Sequence, residues 1–321
     1  INYTIYMRIA CSLGSLLSVK QVLQCTEMLS ETKIDSVWIP ETWGMENFSM
    51  LGAVANNTKS QKIGSSIINI YSRSPSMISM GAATIDALSD GRLILGLGTS
   101  SIPIVEDFHG VSFENPVQRM REYVEIIRLS LTKKQINYSG KIFNLKNFTL
   151  LVEPKRQSIP IYLAAINQKM VNLTWEVADG VIFYLRPIDE MKKTIAEMQL
   201  QKKIDVTCQI ITCVSENSEE AIQRAKKTIA FYVSVGKIYR EFLKRNGFQT
   251  DVTNIFEEFK KSGFKSNHEL VTDSMLKSLC IAGTPNESKL QLQKFRDVGI
   301  DRPIIQFNPI GDAIESFSLL K

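Results

Sequence analysis

The sequence has no long apolar run and no segment that resembles an export signal. Its apolar stretches are short, well below the roughly 18 residues that a membrane-spanning helix requires. The first residues do not show the charged-then-apolar pattern of a signal peptide. We therefore expect a cytoplasmic protein that does not bind membranes.

Cysteine and histidine are both scarce among the 321 residues. The five cysteines are odd in number and lack C-x-x-C spacing, which argues against a disulfide framework and against a zinc site. The two histidines, His109 and His268, lie too far apart in the sequence to suggest a histidine-built metal site. A catalytic triad and a P-loop are also missing from the sequence. The cysteines are Cys11, Cys25, Cys208, Cys213 and Cys280.

A strong charge bias is missing as well. Charged residues make up 22% of the chain, both signs are interspersed, and the formal net charge is only +5. A nucleic-acid-binding protein usually concentrates its basic residues on one patch, and no block of this sequence does so. We expect a small-molecule partner rather than a nucleic acid.

Short β-branched runs alternate with longer amphipathic segments, which is typical of βα units around a parallel sheet. Eight runs are strand candidates, and eight fits a closed (β/α)8 barrel of the α/β class, the TIM barrel. A doubly wound open sheet is the alternative fold. The candidates are residues 4–9, 35–39, 62–69, 93–98, 159–165, 180–184, 204–214 and 303–307.

Helix candidates with apolar residues three and four apart lie between these strands. Ser74-Pro75 suits the start of one helix, and Ser89-Asp90-Gly91 suits its end. Residues 216–278 are longer and more helical than one crossover needs, so we expect a helical insertion there within a single domain, 1–321. The other helix candidates include 17–29, 50–57, 77–88, 116–131 and 169–177.

A glycine-containing segment, residues 95–101, follows the fourth strand candidate. It resembles a dinucleotide-binding fingerprint but lacks the third glycine. Barrel active sites collect at the C-terminal ends of strands, where the small residues Gly98, Thr99 and Ser100 would leave room for a flat ring or a phosphate. A plain tight turn is the alternative.

Polar residues also follow two other strand candidates. Glu41, Thr42 and Trp43 would put a carboxylate, a hydroxyl and an indole at the barrel mouth, and we take them as candidate catalytic residues. The indole can stack on a planar ligand; a surface carboxylate beside a rim-packed tryptophan is the alternative. Arg73 suits pairing with a phosphate or a carboxylate, and the alternative is a solvated side chain or one bound to a local carbonyl.

Several blocks in consecutive order resemble the luciferase-like superfamily. The resemblance is narrower to its coenzyme F420-dependent oxidoreductase branch, which includes methylenetetrahydromethanopterin reductase. It covers most of the chain, and the ordered set of blocks is far more specific than any one of them. The blocks are residues 62–75, 82–100, 109–113, 121–123, 161–165, 176–180 and 283–285.

The resemblance implies a βα barrel with an insertion and a bound coenzyme F420, with FMN as the alternative cofactor. It implies a bulge in the third strand with a cis peptide bond between Ser66 and Ile67, which supports one face of the cofactor ring. Asn69, Thr99 and Ser100 would hydrogen-bond the ring or its tail.

The resemblance also implies a phosphate loop and an oligomeric state. Ala165, Ile166, Asn167 and Gln168 would lie at a helix start, where free backbone N–H groups favour an anion. Relatives are commonly dimers packed through helices of the N-terminal half. We therefore expect a homodimer in which the apolar face of residues 78–88 forms the contact between the two copies. Burial of that face in the core is an equally natural interpretation.

The sequence departs from the family pattern at several positions. Glu41-Thr42 stand where relatives usually have Asp-His, and Asn167-Gln168 stand where Gly-Pro or Gly-Gly is common. Ser101 replaces an acid of some sugar-phosphate-oxidising relatives. Arg8 or Ile9 stands where the methylene reductase has a glutamate. These departures leave the exact reaction open.

Three functions follow from these observations. The first is an F420-dependent oxidoreductase that transfers a hydride between the deazaflavin and a small organic substrate, such as a one-carbon-carrying pterin. The second is an FMN-dependent monooxygenase of the same superfamily. The third is a barrel that has lost catalysis and only binds a ligand or partner, as the altered 41–42 and 167–168 positions suggest.

Overall fold

The computed structural model describes residues 8–320. Its strands are mostly short, apolar and buried, and they run parallel except for one hairpin. The strands are β1 (Ala10–Ser12), β2 (Ser36–Ile39), β3 (Lys62–Ser65), β4 (Ile68–Asn69), β5 (Leu93–Gly98), β6 (Gln135–Ser139), β7 (Asn144–Thr149), β8 (Ile161–Ala164), β9 (Gly180–Tyr184), β10 (Asp205–Val214), β11 (Cys280–Gly283) and β12 (Arg302–Phe307).

Eight parallel strands within residues 8–320 close into a barrel. The ring runs β10, β12, β1, β2, β3, β5, β8, β9 and returns to β10. Strand β4 continues β3 and pairs with β5, and β11 pairs with the second half of β10. The ring confirms the predicted (β/α)8 barrel and excludes the alternative open sheet.

Helices connect the strands and cover the barrel. Helices α7 to α10 lie between β10 and β11, in the segment predicted to be an insertion. The helices are α1 (Val19–Met28), α2 (Asn47–Asn57), α3 (Pro75–Leu88), α4 (Pro116–Thr132), α5 (Gln168–Val177), α6 (Ile188–Gln199), α7 (Ser218–Val235), α8 (Lys237–Leu243), α9 (Gln249–Ser262), α10 (Asp273–Leu279), α11 (Pro285–Asp297) and α12 (Ala313–Ser318).

The sequence did not predict two of the strand regions, and one strand candidate is mostly untested. The first candidate, residues 4–9, lies mostly outside the described residues, and β1 begins only at Ala10. The β6–β7 hairpin was missed because its strands are polar and largely exposed, which hides the alternation that marks a strand. Strand β11 was missed because it follows α10 without a break in the sequence, so no turn residue marks its start. The assignment of residues 1–321 to one domain stays a prediction.

The ends of α3 show how local sequence sets the crossovers. The Ser74 hydroxyl accepts a hydrogen bond from the Met77 N–H at 3.2 Å, and Pro75 occupies the first turn, where its missing N–H costs nothing. The helix stops at Ser89, after which Asp90 and Gly91 adopt positive φ values of 54° and 78°. Both predicted ends are confirmed.

An apolar layer lies inside the barrel. The Trp38 ring fills the centre, and a Cβ on Gly64 would lie only 2.5 Å from that ring. Glycine at this position therefore lets the indole cross the barrel. The layer consists of Ala10, Trp38, Ile94, Tyr162, Ile182 and Ile304.

The helices were also compared with the requirements for a membrane span. Among residues 8–320, none of the helices has the length and apolar character needed to span a bilayer.

A buried carboxylate fastens the β6–β7 hairpin to α4. Glu122 is fully buried and accepts hydrogen bonds from Gln118 Nε2 at 2.8 Å and from the backbone N–H groups of Lys141, Ile142 and Phe143. Burial raises the pKa of this carboxyl, but these hydrogen bonds lower it by more, so the folded pKa lies below the ordinary value. The ionised form is therefore the one that the fold stabilises.

Glu122→Gln should lower the free energy of unfolding by about 2 kcal/mol, because an NH2 group replaces one of the two accepting oxygens and leaves buried N–H donors without an acceptor. Because the folded pKa is depressed, the contribution is present above the unfolded pKa of about 4.3 and is lost as pH falls through the folded value. Urea unfolding at several pH values should show a difference that is largest near pH 7. The exposed Glu197→Gln in α6 is the matched control, and equal effects of the two changes would contradict the account.

Candidate active site at the barrel mouth

The N-terminal end of the barrel is closed by charged groups. Arg302 is 1% exposed and lies 3.3 Å from Asp205, whose carboxylate also receives two hydrogen bonds from Arg8 and one from the Tyr162 hydroxyl. These side chains form a network of charge-assisted hydrogen bonds across that end of the barrel. The accessible end is the opposite one, where the strands terminate.

A backbone bulge lies between β3 and β4 at this mouth. The Ser66–Ile67 peptide bond is cis, which confirms the prediction for this bond. The Ser66 N–H donates to the Ile39 carbonyl at 3.0 Å, and the Ser65 hydroxyl bridges the N–H and the carbonyl of Gly96, both at 2.8 Å. The bulge is thus anchored to both neighbouring strands.

Two glycines of β5 make room for the bulge. A Cβ on Gly96 would lie 1.8 Å from the Ser65 carbonyl oxygen, and a Cβ on Gly98 would lie 2.5 Å from the Ile67 side chain. Gly98 and the small residues after it were predicted to leave space for a ligand ring. In the structure, Gly96 and Gly98 allow β5 to lie close to Ser65 and Ile67. Thr99 and Ser100 follow at the mouth, and Ser100 has a φ of 58°.

Glu41 and Arg73 form a buried pair beside the bulge. Arg73 donates to both oxygens of Glu41, at 2.6 and 2.8 Å, and also contacts Glu46. The two paired side chains are only 11% and 16% exposed. Glu41 also accepts from the backbone N–H of Asn69 at 3.3 Å, so it fixes the exit of β4. This geometry favours a positioning role for Glu41 and gives Arg73 a carboxylate partner within the chain.

The other two candidate catalytic residues lie on the rim. Thr42 is exposed, and the Trp43 side chain is 62% exposed. The Trp43 ring makes an edge contact with Phe108 at 5.9 Å between centroids, which leaves one face open to solvent. An open indole at the mouth is available to cover a planar ligand.

Asn69, at the end of β4, carries a free donor. Its side chain is 3% exposed, and its Oδ1 accepts from the Tyr71 N–H at 2.9 Å. Its Nδ2 is buried and has no hydrogen-bond partner within residues 8–320. A buried, unpaired N–H group is costly unless a ligand supplies the acceptor.

The predicted phosphate loop lies at the start of α5. Ala165 is buried, Ile166 is partly buried, and Asn167 and Gln168 are exposed. Asn167 is the residue before the helix, and its side chain makes no capping hydrogen bond. The first N–H groups of α5 are therefore not capped by the Asn167 side chain, and such groups at a helix start are a common place for an anion.

The second half of the mouth carries polar residues that the sequence reasoning missed. Tyr184 ends β9, Gln209 lies in β10, and Gln306 lies in β12. Each follows, along its strand, apolar residues that form the core. A lone glutamine inside a buried apolar strand was the available signal, since such a group needs a partner.

Comparison with known proteins identifies the class. The model of the luciferase-like monooxygenase family matches residues 3–302. The chain therefore belongs to this family, and it is an oxidoreductase of the luciferase-like type.

One curated relative and two solved structures show which members of the family this chain is similar to. The chain is 30% identical over 309 residues to the 5,10-methylenetetrahydromethanopterin reductase of Archaeoglobus fulgidus, covering 92% of this chain and 91% of that protein. The coenzyme F420-dependent tetrahydromethanopterin reductase of Methanopyrus kandleri superposes with a TM-score of 0.87 at 22% identity, covering 98% and 97% of the two chains. The oxygenating constituent of 3,6-diketocamphane monooxygenase from Pseudomonas putida, solved with FMN, gives 0.69 at 14% identity, covering 98% and 96%.

Gly96→Ala should destabilise the fold by about 3 kcal/mol, because its Cβ meets a backbone oxygen that cannot rotate away. Gly98→Ala should cost less, since the Ile67 side chain can change rotamer. Gly52→Ala in α2 is the control: its Cβ would have 3.7 Å to the nearest atom, so the change should be neutral or stabilising. Thermal unfolding gives the melting temperature of each of the three variants. A Gly96 variant as stable as the Gly52 variant would contradict the close contact at the bulge.

Arg73→Ala should weaken the binding of coenzyme F420 and of its dephosphorylated analogue by the same factor, because Arg73 acts through Glu41 on the bulge. Fluorescence titration of both compounds measures this. A loss confined to the phosphate-bearing compound would instead assign Arg73 to the phosphate.

Proposed function

We propose that this chain is a coenzyme F420-dependent oxidoreductase that transfers a hydride between the deazaflavin and a small organic substrate. The observation that carries the proposal is the free, buried Asn69 Nδ2 beside the Ser66–Ile67 bulge. The relative from Archaeoglobus fulgidus, named as a methylenetetrahydromethanopterin reductase, supports it. On that basis we propose a one-carbon-carrying pterin as the substrate.

The residues at the mouth fit such a cofactor. Ser66 and Ile67 would support one face of the ring, and Asn69 Nδ2 would donate to a carbonyl or tail oxygen. Thr99 and Ser100 would hydrogen-bond the ring or its tail. When bound, the deazaflavin supplies the hydride chemistry, which side chains alone cannot provide.

The far end of the cofactor would lie at α5. Residues 165–168 would receive its phosphate, because the first N–H groups of a helix and its dipole favour an anion. Asn167 and Gln168 are exposed and flank that end without blocking it in the apo structure. We propose that the anion site is retained despite the absence of glycine at these positions.

The protein groups then orient the reactants and exclude water. Trp43 would cover the substrate from the rim, and Thr42 would offer a hydroxyl beside it. Glu41 would keep the Asn69 backbone and Arg73 in place rather than exchange a proton, since both of its oxygens are already hydrogen-bonded.

An FMN-dependent monooxygenase is the second candidate function. The Pseudomonas putida neighbour, solved in complex with FMN, favours it. Both cofactors carry a flat tricyclic ring and a phosphate, so the same mouth would suit either. Cofactor binding to the purified protein separates the two.

We also propose a homodimer and a cytoplasmic protein. The predicted dimer face on α3 needs correction, because Ile78 and Ile85 pack into the core. Met77, Met80 and Leu88 remain exposed, at 53%, 43% and 51%, and these are the side chains available for a second copy.

Titration of the purified protein should show binding of coenzyme F420 at least about tenfold tighter than binding of FMN. Asn69→Asp should weaken F420 by about tenfold, because the variant keeps the acceptor for Tyr71 and loses the free donor. A melting temperature near that of the wild type serves as the control for folding. Tight FMN binding without F420 binding would replace the first function by the second.

A further inference from the structure

A buried arginine at the exit of β9, Arg186, contacts the phosphate loop (residues 165–168). Its side chain is only 3% exposed. Its Nη1 donates to the Ile166 carbonyl oxygen at 3.1 Å. Its Nη2 donates to Glu190 Oε1 at 2.7 Å and to the Thr194 hydroxyl at 3.1 Å, and its Nε contacts the other oxygen of Glu190. One buried cation thus joins the first turns of α6 to the phosphate loop.

This contact sets the orientation of the peptide group between Ile166 and Asn167. In a trans peptide the C=O and the N–H point in opposite directions. Because the Ile166 carbonyl points at Arg186, the Asn167 N–H points away from it. The N–H groups of Asn167, Gln168 and Lys169 have no hydrogen-bond partner within residues 8–320. Three consecutive free donors therefore lie at the start of α5.

Two aromatic rings hold the guanidinium in place. The centroids of Phe183 in β9 and Phe242 in α8 lie 4.5 and 4.9 Å from the Arg186 Cζ. A cation is attracted to the face of an aromatic ring, and more strongly where water is excluded. Phe242 is 8% exposed and belongs to the helices between β10 and β11. Contacts therefore run from those helices through Arg186 to the phosphate loop.

The backbone on both sides of Arg186 is fastened to the same helices. Leu185 has a φ of 48°, a conformation that is uncommon for a residue with a side chain. Its side chain is buried in an apolar cluster formed mainly by α7 to α10. After Arg186, the Ile188 N–H donates to the Ser278 hydroxyl of α10 at 3.2 Å. The turn after β9 is thus fixed in the position from which Arg186 reaches Ile166.

Stability alone does not account for the pair of Arg186 and Glu190. The desolvation of two buried charges roughly offsets their attraction, so apolar side chains of similar size would stabilise the fold as well. What apolar side chains could not do is donate a hydrogen bond to the Ile166 carbonyl. The pair is therefore explained by the geometry that it imposes on the loop.

We infer that Arg186 is a positioning residue for the anion site at α5. By holding the Ile166 carbonyl, it keeps that oxygen away from the anion and leaves the N–H groups of residues 167–169 free to donate. The packing of α8 on Arg186 makes phosphate affinity depend on the helices between β10 and β11. The inference rests on the proposed function for the identity of the anion, the phosphate of the cofactor.

The test compares coenzyme F420 with its dephosphorylated analogue by fluorescence titration. Arg186→Met removes the donors, and Arg186→Lys keeps the charge but loses the planar fork that reaches Glu190 and Ile166 together. Each should weaken F420 binding about tenfold and analogue binding less than about twofold. Phe242→Leu removes a ring from the guanidinium and should cause a smaller loss with the same selectivity.

Arg156 offers a matched control at the other end of the barrel. It also donates to a buried carboxylate, Asp86 at 3.1 Å, and to a backbone carbonyl, that of Leu93 at 2.6 Å. Arg156→Lys should lower the melting temperature and leave both affinities unchanged. This separates a loss of stability from a loss of position at the loop.

A selective loss of F420 affinity in both Arg186 variants supports the inference. Equal losses for the two compounds, or no loss, overturn it, and so does wild-type F420 affinity in Arg186→Lys, which would assign the effect to charge alone. If the wild type binds FMN and not F420, the proposed function fails, and the same comparison made with FMN and riboflavin decides the inference. Binding of neither phosphate-bearing compound would overturn both.

Discussion

The close approach of β3 and β5 at the bulge is the constraint on which the site depends. A Cβ on residue 96 would clash with the Ser65 carbonyl oxygen, so β5 can lie this close to β3 only with glycine at that position. The Ser65 hydroxyl then satisfies both backbone groups of Gly96. Glu41 and Arg73 fix the exit of β4 on the other side. The backbone of the bulge is thereby held from three directions, which preorganises the surface that a ring would contact.

The mouth divides into two halves with different chemistry. The half built from β1 to β8 has small side chains and a helix start, which suit a flat, phosphate-bearing cofactor. The half built from β9 to β12 carries Tyr184, Gln209 and Gln306, and Tyr184 packs against Tyr232 of α7 and Tyr239 of α8.

The periodic pattern of the sequence predicted a parallel sheet covered by helices, because buried parallel strands are short apolar runs separated by amphipathic helices. The family resemblance, and not the pattern, favoured a closed barrel over a doubly wound open sheet. The Ser66–Ile67 cis bond was predicted only through the family resemblance. The pairing of Glu41 with Arg73 could not be predicted, since 32 residues separate them and only the fold brings them together. Gln209 and Gln306 were hidden within apolar strands, where the pattern shows burial but not which face looks into the mouth.

A crystal structure of the protein with coenzyme F420 tests the central claim most directly. The account predicts one ring face on Ser66–Ile67, an acceptor oxygen within about 3 Å of Asn69 Nδ2, and the phosphate at the start of α5. A ring bound away from the bulge, or a phosphate held by Arg73 with its Glu41 pair broken, would contradict the account.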